Sequence, residues 1–227
     1  AFMANHHMLQ VSNRPLWRVL ENGSCSYIEA LTRQWNVEVR LRTAVTSVRR
    51  YADRVEIQTA EGTQTFEQVV FAGHSDQTLR LLADPTPQES EILGAIRYQS
   101  NETVLHSDAS VLPPDRRAWA AWNADIAETP EAPCTVSYCM NILQGLQAPV
   151  PFIVSLNQRK SIDPEKIFAV MDYQHPVYDH AMVRAQTRRV EIQGQNRSWF
   201  CGAYWGFGFH EDGFRTGHEV AMGLLQA

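Results

Sequence analysis

The sequence predicts a mixed α/β (α+β) fold in two regions, and three observations lead to that prediction. Apolar residues recur at helical spacing in some segments and alternate with polar residues in others, so helices and strands are interleaved. Most predicted strands alternate, but the run from Val69 to Ala72 is continuously apolar. The sequence contains no internal repeat. We expect a discontinuous region of residues 1–84 and 190–227 and a β-rich middle region of residues 85–189.

The first segment predicts one helix followed by strands. Tyr27, Ile28 and Leu31 lie at helical spacing, and Ser24 or Ser26 is a suitable N-cap. The predicted strands are Val37 to Leu41, Val45 to Tyr51, Val55 to Thr59 and Phe66 to Ala72. The apolar end of the last strand is typical of a strand that is covered on both faces in a parallel sheet.

The chain continues with two helices and a group of strands. Ser75 to Leu82 is predicted to be helical, and Pro87 opens a second helix with acidic residues in its first turn. Strands are predicted at Thr103 to His106, Ala118 to Asn123, Thr135 to Met140 and Phe152 to Leu156, and a short helix at Ala181 to Arg189. A buried strand from Trp199 to Gly202 leads through an aromatic loop into a last helix, from about His210 to Leu225.

The bulk composition disfavours several classes of function. The chain has 227 residues and a net charge of -5, and nucleic acid is an unlikely partner for an acidic protein. No apolar run reaches the roughly 20 residues that span a membrane. The four cysteines form no CxxC pair, which favours a reduced, cytoplasmic setting. His6 and His7 form an isolated pair, so we expect no metal site.

The loop and helix at the C-terminal end carry the most information. Three glycines between Gly202 and Gly208 allow tight turns and the close approach of another group. The helix start offers free N–H donors that suit an anionic or electron-rich ligand edge. Along the helix, Gly213, Gly217 and Ala221 form a ridge of small residues, which indicates close contact with a sheet or with a flat cofactor. Glu211 stands where GxGxxG requires its third glycine, so no Rossmann phosphate cradle is visible.

This C-terminal stretch, from Gly202 to Ala221, resembles the flavin-contacting motif of the flavin-containing amine oxidase and phytoene desaturase superfamily. It is similar to the ending of bacterial proteins described as predicted NAD/FAD-binding proteins. In that superfamily a strand ends in glycine, a loop crosses the flavin, and Gly-aromatic-x-Glu-x-Gly opens a helix. Gly208, Phe209 and Glu211 follow this order. The stretch from Glu21 to Gly73 resembles the middle flavin-domain segment, and Thr103 to Pro113 resembles the entry to the substrate domain.

The resemblance implies an FAD-dependent oxidoreductase that transfers a hydride from a small-molecule substrate to the flavin. Residues 1–84 and 190–227 would then form part of the FAD-binding domain, and residues 85–189 the substrate domain. Phe209 and Tyr204 would line the ring or the substrate channel. His210 is a candidate proton shuttle because the titration range of histidine suits that role, and the alternative is a helix N-terminal residue that hydrogen-bonds to the backbone. The residues implied to contact the cofactor are Gly202, Tyr204, Gly208, Phe209, His210, Glu211, Asp212, Gly213, Gly23 and Ala72.

The sequence departs from the superfamily pattern in several places, and these departures bear on the cofactor site and the substrate class. The N-terminal βαβ unit that holds the ADP part of FAD has no counterpart, so we expect this chain to be the later part of such an enzyme. The family's lysine near the flavin is missing from the stretch Asn101 to Val104, and Phe209 stands where a ring-flanking tyrosine is common. Oxidation or desaturation of another small or lipid-like substrate is therefore favoured over amine oxidation.

A second hypothesis places the chain in another functional class. It would be a non-catalytic fragment or a binding module that self-associates through the exposed apolar surface of an incomplete domain. A yellow, FAD-binding sample would favour the first hypothesis, and a colourless sample that takes up no FAD would favour the second.

Overall fold

The structure, a computed structural model, describes residues 12, 18–21, 23–125 and 135–226. His6, His7 and residues 126–134, which include Cys134, lie outside these residues. The chain divides into two compact units. The first comprises Ala1–Val39 and Glu102–Met171, and the second comprises Arg40–Asn101 and Asp172–Ala227. The predicted boundaries cut the chain elsewhere, at residues 84 and 189, and they stay a prediction.

Helices and strands alternate along the chain. The helices are α1 (Cys25–Thr32), α2 (Ser75–Leu81), α3 (Pro87–Gly94), α4 (Met140–Gln144), α5 (His180–Thr187) and α6 (His210–Leu224). The strands are β1 (Val45–Arg50), β2 (Val55–Thr59), β3 (Gly62–Phe66), β4 (Val69–Phe71), β5 (Tyr98–His106), β6 (Trp122–Asp125), β7 (Thr135–Cys139), β8 (Ile153–Leu156), β9 (Ile167–Pro176) and β10 (Ser198–Phe200). The predicted α/β class is therefore confirmed.

The second unit contains a three-stranded antiparallel sheet, β1-β2-β3, and a parallel pair of β4 with β10. Helices α3 and α5 contribute Ile92, Leu93, Met182 and Ala185 to the core that also buries the sheet residues. The whole core cluster consists of Val48, Val55, Val69, Phe71, Leu82, Ile92, Leu93, Ile96, Met182, Ala185, Ile192, Phe200, Tyr204 and Trp205. Residues 85–101 and 172–189 therefore fold with the two chain segments that carry β4 and β10.

Helix α3 begins as its sequence predicts. Thr86 is the N-cap, and its Oγ1 accepts a hydrogen bond from the Glu89 N–H at 3.1 Å. The Glu89 carboxylate accepts in return from the Thr86 N–H at 2.8 Å, which completes a capping box. Pro87 occupies the first helical turn, where a missing N–H costs nothing.

The first unit contains most of a five-stranded sheet with the order β6-β7-β8-β5-β9. Leu112, Cys139 and Ile153 form its small apolar core, against which Val111 and Trp119 pack. The same face of the sheet also buries polar side chains, because Ser137 pairs in register with Ser155, and Ser155 with Val104.

Three strand predictions need correction. No strand forms over Val37 to Leu41, whose apolar side chains are 63–81% exposed, because no described segment pairs with it. Val70 in β4 is 43% exposed, so this strand is not covered on both faces within the described residues. The strand predicted from Ala118 starts only at Trp122, since Arg116–Ala118 form a 3₁₀ turn.

Strands β3 and β9 were not predicted. Strand β3 follows a tight turn after β2 and begins at Gly62. In β9, which lies at the sheet edge, Phe168 and Val170 are more than 40% exposed, because alternate side chains of a strand point to opposite faces and theirs is not covered by the described residues.

A buried histidine in the first unit predicts a pH dependence of stability. His106 is fully buried; its Nδ1 accepts from the Asp108 N–H at 3.1 Å and its Nε2 lies 2.9 Å from Ser155 Oγ. Burial lowers the pKa of His106 below the ordinary value of 6.5, although the Asp108 carboxylate opposes the shift. Between these two pKa values the unfolded chain binds a proton that the folded chain does not. The free energy of unfolding should therefore fall as the pH drops below about 6.5.

The measurement is urea denaturation at pH values from about 7.5 to 5.5, a range that brackets the ordinary histidine pKa. His106→Gln keeps a donor for Ser155 but cannot titrate, so its unfolding free energy should decline less over this range. Equal declines in the two proteins would contradict the assignment to His106.

Candidate functional site

The carboxyl ends of β4 and β10 form the floor of the candidate site. The two strands are parallel, and the Cys201 N–H donates to the Phe71 carbonyl at 2.9 Å, which brings Ala72 and Gly202 to the same sheet edge. In α/β proteins this edge is the usual place for a ligand. Gly202 has φ +149°, and a Cβ there would lie 2.6 Å from the Tyr204 ring, so only glycine fits.

Thr216 joins helix α6 to this edge. Its Oγ1 accepts from the Gly202 N–H at 3.0 Å and donates to the Asp212 carbonyl at 2.9 Å, and the side chain is fully buried. The sequence analysis missed Thr216. Its position directly before Gly217, a member of the small-residue ridge, is the only signal that could have drawn attention to it.

Gln186 holds the loop between β10 and α6 from the other side. Its Nε2 donates to the Tyr204 carbonyl at 2.9 Å and to the Gly206 carbonyl at 2.7 Å. Gln186 comes from α5, and nothing in its local sequence indicates this contact. The loop conformation therefore depends on a residue that lies 18 positions before Tyr204 and 20 before Gly206 in the sequence.

Replacement of Gln186 tests this contact. Gln186→Leu should lower the free energy of unfolding by about 1–3 kcal/mol, because two loop carbonyls lose their donor. Gln77→Leu makes the same chemical change on the exposed face of α2 and should change stability by less than about 0.5 kcal/mol. Urea denaturation followed by tryptophan fluorescence provides both values, and equal effects of the two substitutions would contradict the assigned role.

Asp212 closes the loop at the start of α6. Its Oδ2 accepts from the Phe207 N–H at 3.0 Å and from the Phe209 N–H at 3.1 Å. A Cβ on Gly206 would lie 2.0 Å from Asp212 Oδ1, so this glycine is required for the carboxylate to approach. Asp212 therefore caps the helix and already neutralises part of the positive end of its dipole.

Gly208 and Tyr178 meet on the outside of the same loop. Gly208 has φ +89°, and a Cβ there would lie 2.7 Å from the Tyr178 hydroxyl oxygen. Burial of the hydroxyl, assisted by the negative charge of Asp212, raises the pKa of Tyr178 to about 12. The Tyr178 hydroxyl is therefore protonated at neutral pH and lies next to the glycine.

The remaining predicted site residues on this loop differ in burial. Tyr204 is 5% exposed, and its ring lies 4.9 Å from the Trp205 ring, centroid to centroid. Burial raises the pKa of Tyr204 far above its ordinary value. Among the described residues, neither its hydroxyl nor the Trp205 indole N–H has a partner in hydrogen-bonding geometry. Phe209 is half-buried, whereas His210 and Glu211 are exposed in the first turn of α6.

Within the described residues, the small-residue ridge of α6 lies close to atoms outside its helix at its beginning, near Gly213. A Cβ on Gly213 would lie 3.8 Å from the Ala203 backbone nitrogen, an ordinary contact. A Cβ on Gly217 would meet no described atom within 4 Å, and Ala221 is exposed. Of the two explanations for the ridge, contact with the chain's own sheet therefore does not account for Gly217 within the described residues.

Gly23 lies in the first unit, in the turn before α1. Its φ is +80°, and its N–H donates to the Leu20 carbonyl at 3.0 Å. The predicted N-cap Ser24 makes no side-chain capping bond, whereas the Ser26 hydroxyl donates to the Gly23 carbonyl at 2.7 Å. The structure thus brings Ala72 and Gly202 to Gly213 together in the second unit, and the cofactor contact of Gly23 stays a prediction.

Two absences hold for the part of the chain that the structure describes. No group of three His, Cys, Asp or Glu side chains in this part of the chain could hold a metal ion. None of its helices combines the length and apolar character that crossing a membrane requires.

Known structures share this fold. A CLA-producing fatty acid isomerase from P. acnes aligns with 88% of this chain at a TM-score of 0.61 and 14% identity, covering 51% of its own length. A putative protoporphyrinogen oxidase from Exiguobacterium sp. aligns with 97% at a TM-score of 0.57 and 15% identity, covering 55% of its length. Putrescine oxidase bound to putrescine aligns with 91% at a TM-score of 0.61 and 7% identity, covering 53% of its length.

The chain therefore spans about half the length of each of these structures. No protein-family model and no curated protein matches it. At such low identities the likeness establishes the fold alone. The chain has an amine-oxidase-like fold, which these oxidases and this isomerase share.

Proposed function

We propose that this chain is part of an FAD-dependent oxidoreductase and forms the wall against which the flavin lies. The fold likeness to two oxidases and an isomerase, together with the loop at the carboxyl ends of β4 and β10, is the observation that carries the proposal. FAD, when bound, supplies the redox chemistry, namely acceptance of a hydride equivalent from a substrate carbon.

The residues at the sheet edge fit a flat group. Ala72, Gly202, Gly213 and Gly217 carry no side chain beyond Cβ, and the Gly217 position is open for at least 4 Å. A planar ring needs such a smooth surface, and a helix that serves only as packing gains about 1 kcal/mol from alanine at each glycine position. These four residues would hold the cofactor, with Phe209 at its margin.

The chain's own side chains position this surface. Gln186, Asp212 and Thr216 fix the backbone of the loop through the hydrogen bonds described above, so the loop is held in one conformation before any ligand binds. His210 lies in the adjacent helix turn and is exposed. In this proposal an imidazole nitrogen of His210 moves the proton that accompanies hydride removal.

The proposed substrate is a small or lipid-like molecule other than an amine. No lysine occurs between Asn101 and Val104, and the Asn101 amide nitrogen lies 3.0 Å from His175 Nδ1. The departures from the amine oxidase pattern support oxidation or desaturation of a carbon–carbon or similar bond.

FAD binding tests the proposal directly. The purified chain is titrated into FAD, and quenching of flavin fluorescence is measured for the unaltered protein and for Gly217→Leu. We expect saturable quenching that the leucine weakens at least tenfold, because a large side chain would stand where the ring lies. The proposal fails if the chain, alone and within its full-length gene product, leaves FAD fluorescence unchanged.

A second candidate function rests on exposed apolar residues in the first unit. Helix α1 buries no residue, and Ile28, Leu31 and Trp35 are about half exposed or more. An apolar surface of this kind favours a binding or self-associating module. Sedimentation analysis distinguishes the two candidates, since a colourless dimer that is dissociated by Leu31→Glu would support the module over the flavoenzyme.

A further inference from the structure

A cavity in the first unit has a polar wall that the proposed function does not use. Its volume is about 420 Å³, within the roughly 300–1,000 Å³ that small-molecule sites occupy. The cavity is lined by Ser110, Val111, Leu112, Pro113, Asn123, Ala124, Ser137, Gln158 and Ser161. None of these lining side chains is charged.

A chain of hydrogen bonds runs from a backbone amide to this wall. Because the Asp108 N–H donates to His106 Nδ1, the neutral ring carries its hydrogen on Nε2 and donates to Ser155 Oγ at 2.9 Å. Ser155 Oγ lies 2.7 Å from Ser137 Oγ, and Ser137 Oγ donates to Gln158 Oε1 at 3.0 Å. Each hydroxyl therefore accepts from one side and donates to the other, which gives the chain a single direction.

This direction fixes the orientation of the Gln158 amide. Because the amide oxygen accepts the hydrogen bond from Ser137, the NH₂ group is the part of the amide that can donate to a ligand. Among the described residues, no acceptor lies within hydrogen-bonding distance of Gln158 Nε2. Asn123 differs, because its amide donates to the Ala120 and Ser137 carbonyls and accepts from the Ala120 N–H. Gln158 is thus the amide donor that the wall presents.

The rest of the cavity suits the carbon skeleton of a ligand. Val111, Leu112 and Pro113 provide the main apolar part of the lining. A charged ligand would find no counter-charge among the lining residues, and the nearby buried carboxylate of Asp108 is already paired with Lys166 at 3.2 Å.

Burial of this chain of hydrogen bonds, which we call the relay, costs desolvation free energy that calls for an explanation. His106, Ser155 and Ser137 are 0–2% exposed beside an apolar core of three residues. Apolar side chains in the same row would avoid their desolvation. We propose that the cavity binds a small uncharged molecule whose carbonyl oxygen accepts from Gln158 Nε2 and whose carbon skeleton lies against Val111, Leu112 and Pro113.

This site is independent of the proposed flavin surface. All its residues belong to the first unit, whereas Gly202 to Gly217 belong to the second. The failure of either proposal would therefore leave the other unaffected.

The probe for the site is ε-caprolactam, a cyclic amide with one carbonyl oxygen and an apolar ring. Amide NMR spectra of the ¹⁵N-labelled chain, recorded during titration, report the Gln158 side-chain resonance, which is identified by its loss in Gln158→Met. We expect saturable shifts in the unaltered chain and about tenfold weaker binding to Gln158→Met, the effect of one lost hydrogen bond. Gln147→Met makes the same change in an exposed loop and should bind like the unaltered chain.

Two further measurements separate the parts of the proposal. Ser155→Ala does not alter the lining but interrupts the relay, so it should also weaken caprolactam binding in a chain whose spectrum remains folded. Hexanoate has the same number of carbons but carries a charge, and it should bind more weakly than caprolactam. The proposal is overturned if the shifts do not saturate, if Gln158→Met binds like Gln147→Met, or if hexanoate binds as tightly as the lactam.

Discussion

Glu89→Ala should lower the free energy of unfolding by about 3 kcal/mol, because the buried guanidinium of Arg50 would keep only the partly exposed Asp84 as a counter-charge. Arg50 and Glu89 side chains are each 1% exposed, and Arg50 Nη2 donates to Glu89 Oε2 at 2.8 Å. Burial alone would raise the pKa of Glu89, but the hydrogen bonds from Arg50 and Thr86 outweigh it and hold the pKa below its ordinary value. Removal of the carboxylate leaves the guanidinium buried and also ends the capping box of α3.

Two controls identify the buried charge as the cause. Asp84 also binds Arg50, at 3.2 Å, but its side chain is 30% exposed, so Asp84→Asn should cost clearly less. The double substitution Arg50→Met with Glu89→Leu removes both charges and should be less destabilising than Glu89→Ala alone. Urea denaturation gives all three values, and a double variant that is less stable than Glu89→Ala would refute this explanation.

Gly206→Ala should cost about 3 kcal/mol, the second large effect that we expect. The new Cβ would lie 2.0 Å from Asp212 Oδ1 and 2.9 Å from Asp212 Cβ, so the whole side chain must move. Asp212 would then lose the hydrogen bonds that it accepts from the Phe207 and Phe209 N–H groups. Overpacking would add strain to this loss. If the flavin proposal holds, the same substitution should also weaken FAD binding.

Gly217→Ala is the matched control in the same helix. Among the described residues, no atom outside the local helix backbone lies within 4 Å of the new methyl group, so the higher helix propensity of alanine should raise the free energy of unfolding by about 0.5–1 kcal/mol. Thermal and urea unfolding measure both variants. Stabilities of Gly206→Ala and Gly217→Ala that change in the same direction would contradict the assigned role of Asp212.

The local elements could be predicted because the sequence near each of them contains its cause. The capping box of Thr86 and Glu89 starts α3, and the alternation in Val55 to Thr59 corresponds to β2. The apolar run before Ala72 indicated a strand of a parallel sheet, and β4 does pair in parallel, with β10 as the partner that the structure identifies. In each case the signal lies within one turn or one strand.

The alternation of apolar and polar residues does not by itself predict a strand correctly, because a strand also needs a partner. Val37 to Leu41 has the pattern of a strand but remains exposed, whereas β9 pairs at the sheet edge despite a weak pattern. A strand exists only when another segment completes its hydrogen bonds, and that segment can be far away in sequence.

The sequence by itself determined the mixed fold class, most helix and strand positions and the glycine-rich loop that leads into α6. Only the tertiary structure decided that Gln186 and Thr216 hold that loop, that Arg50 is neutralised by Glu89, and that His106 is linked to Gln158 through two serines. The physical reason is that helix and strand preferences act between near neighbours. A buried polar group must find a partner wherever the fold places one, which no local pattern records.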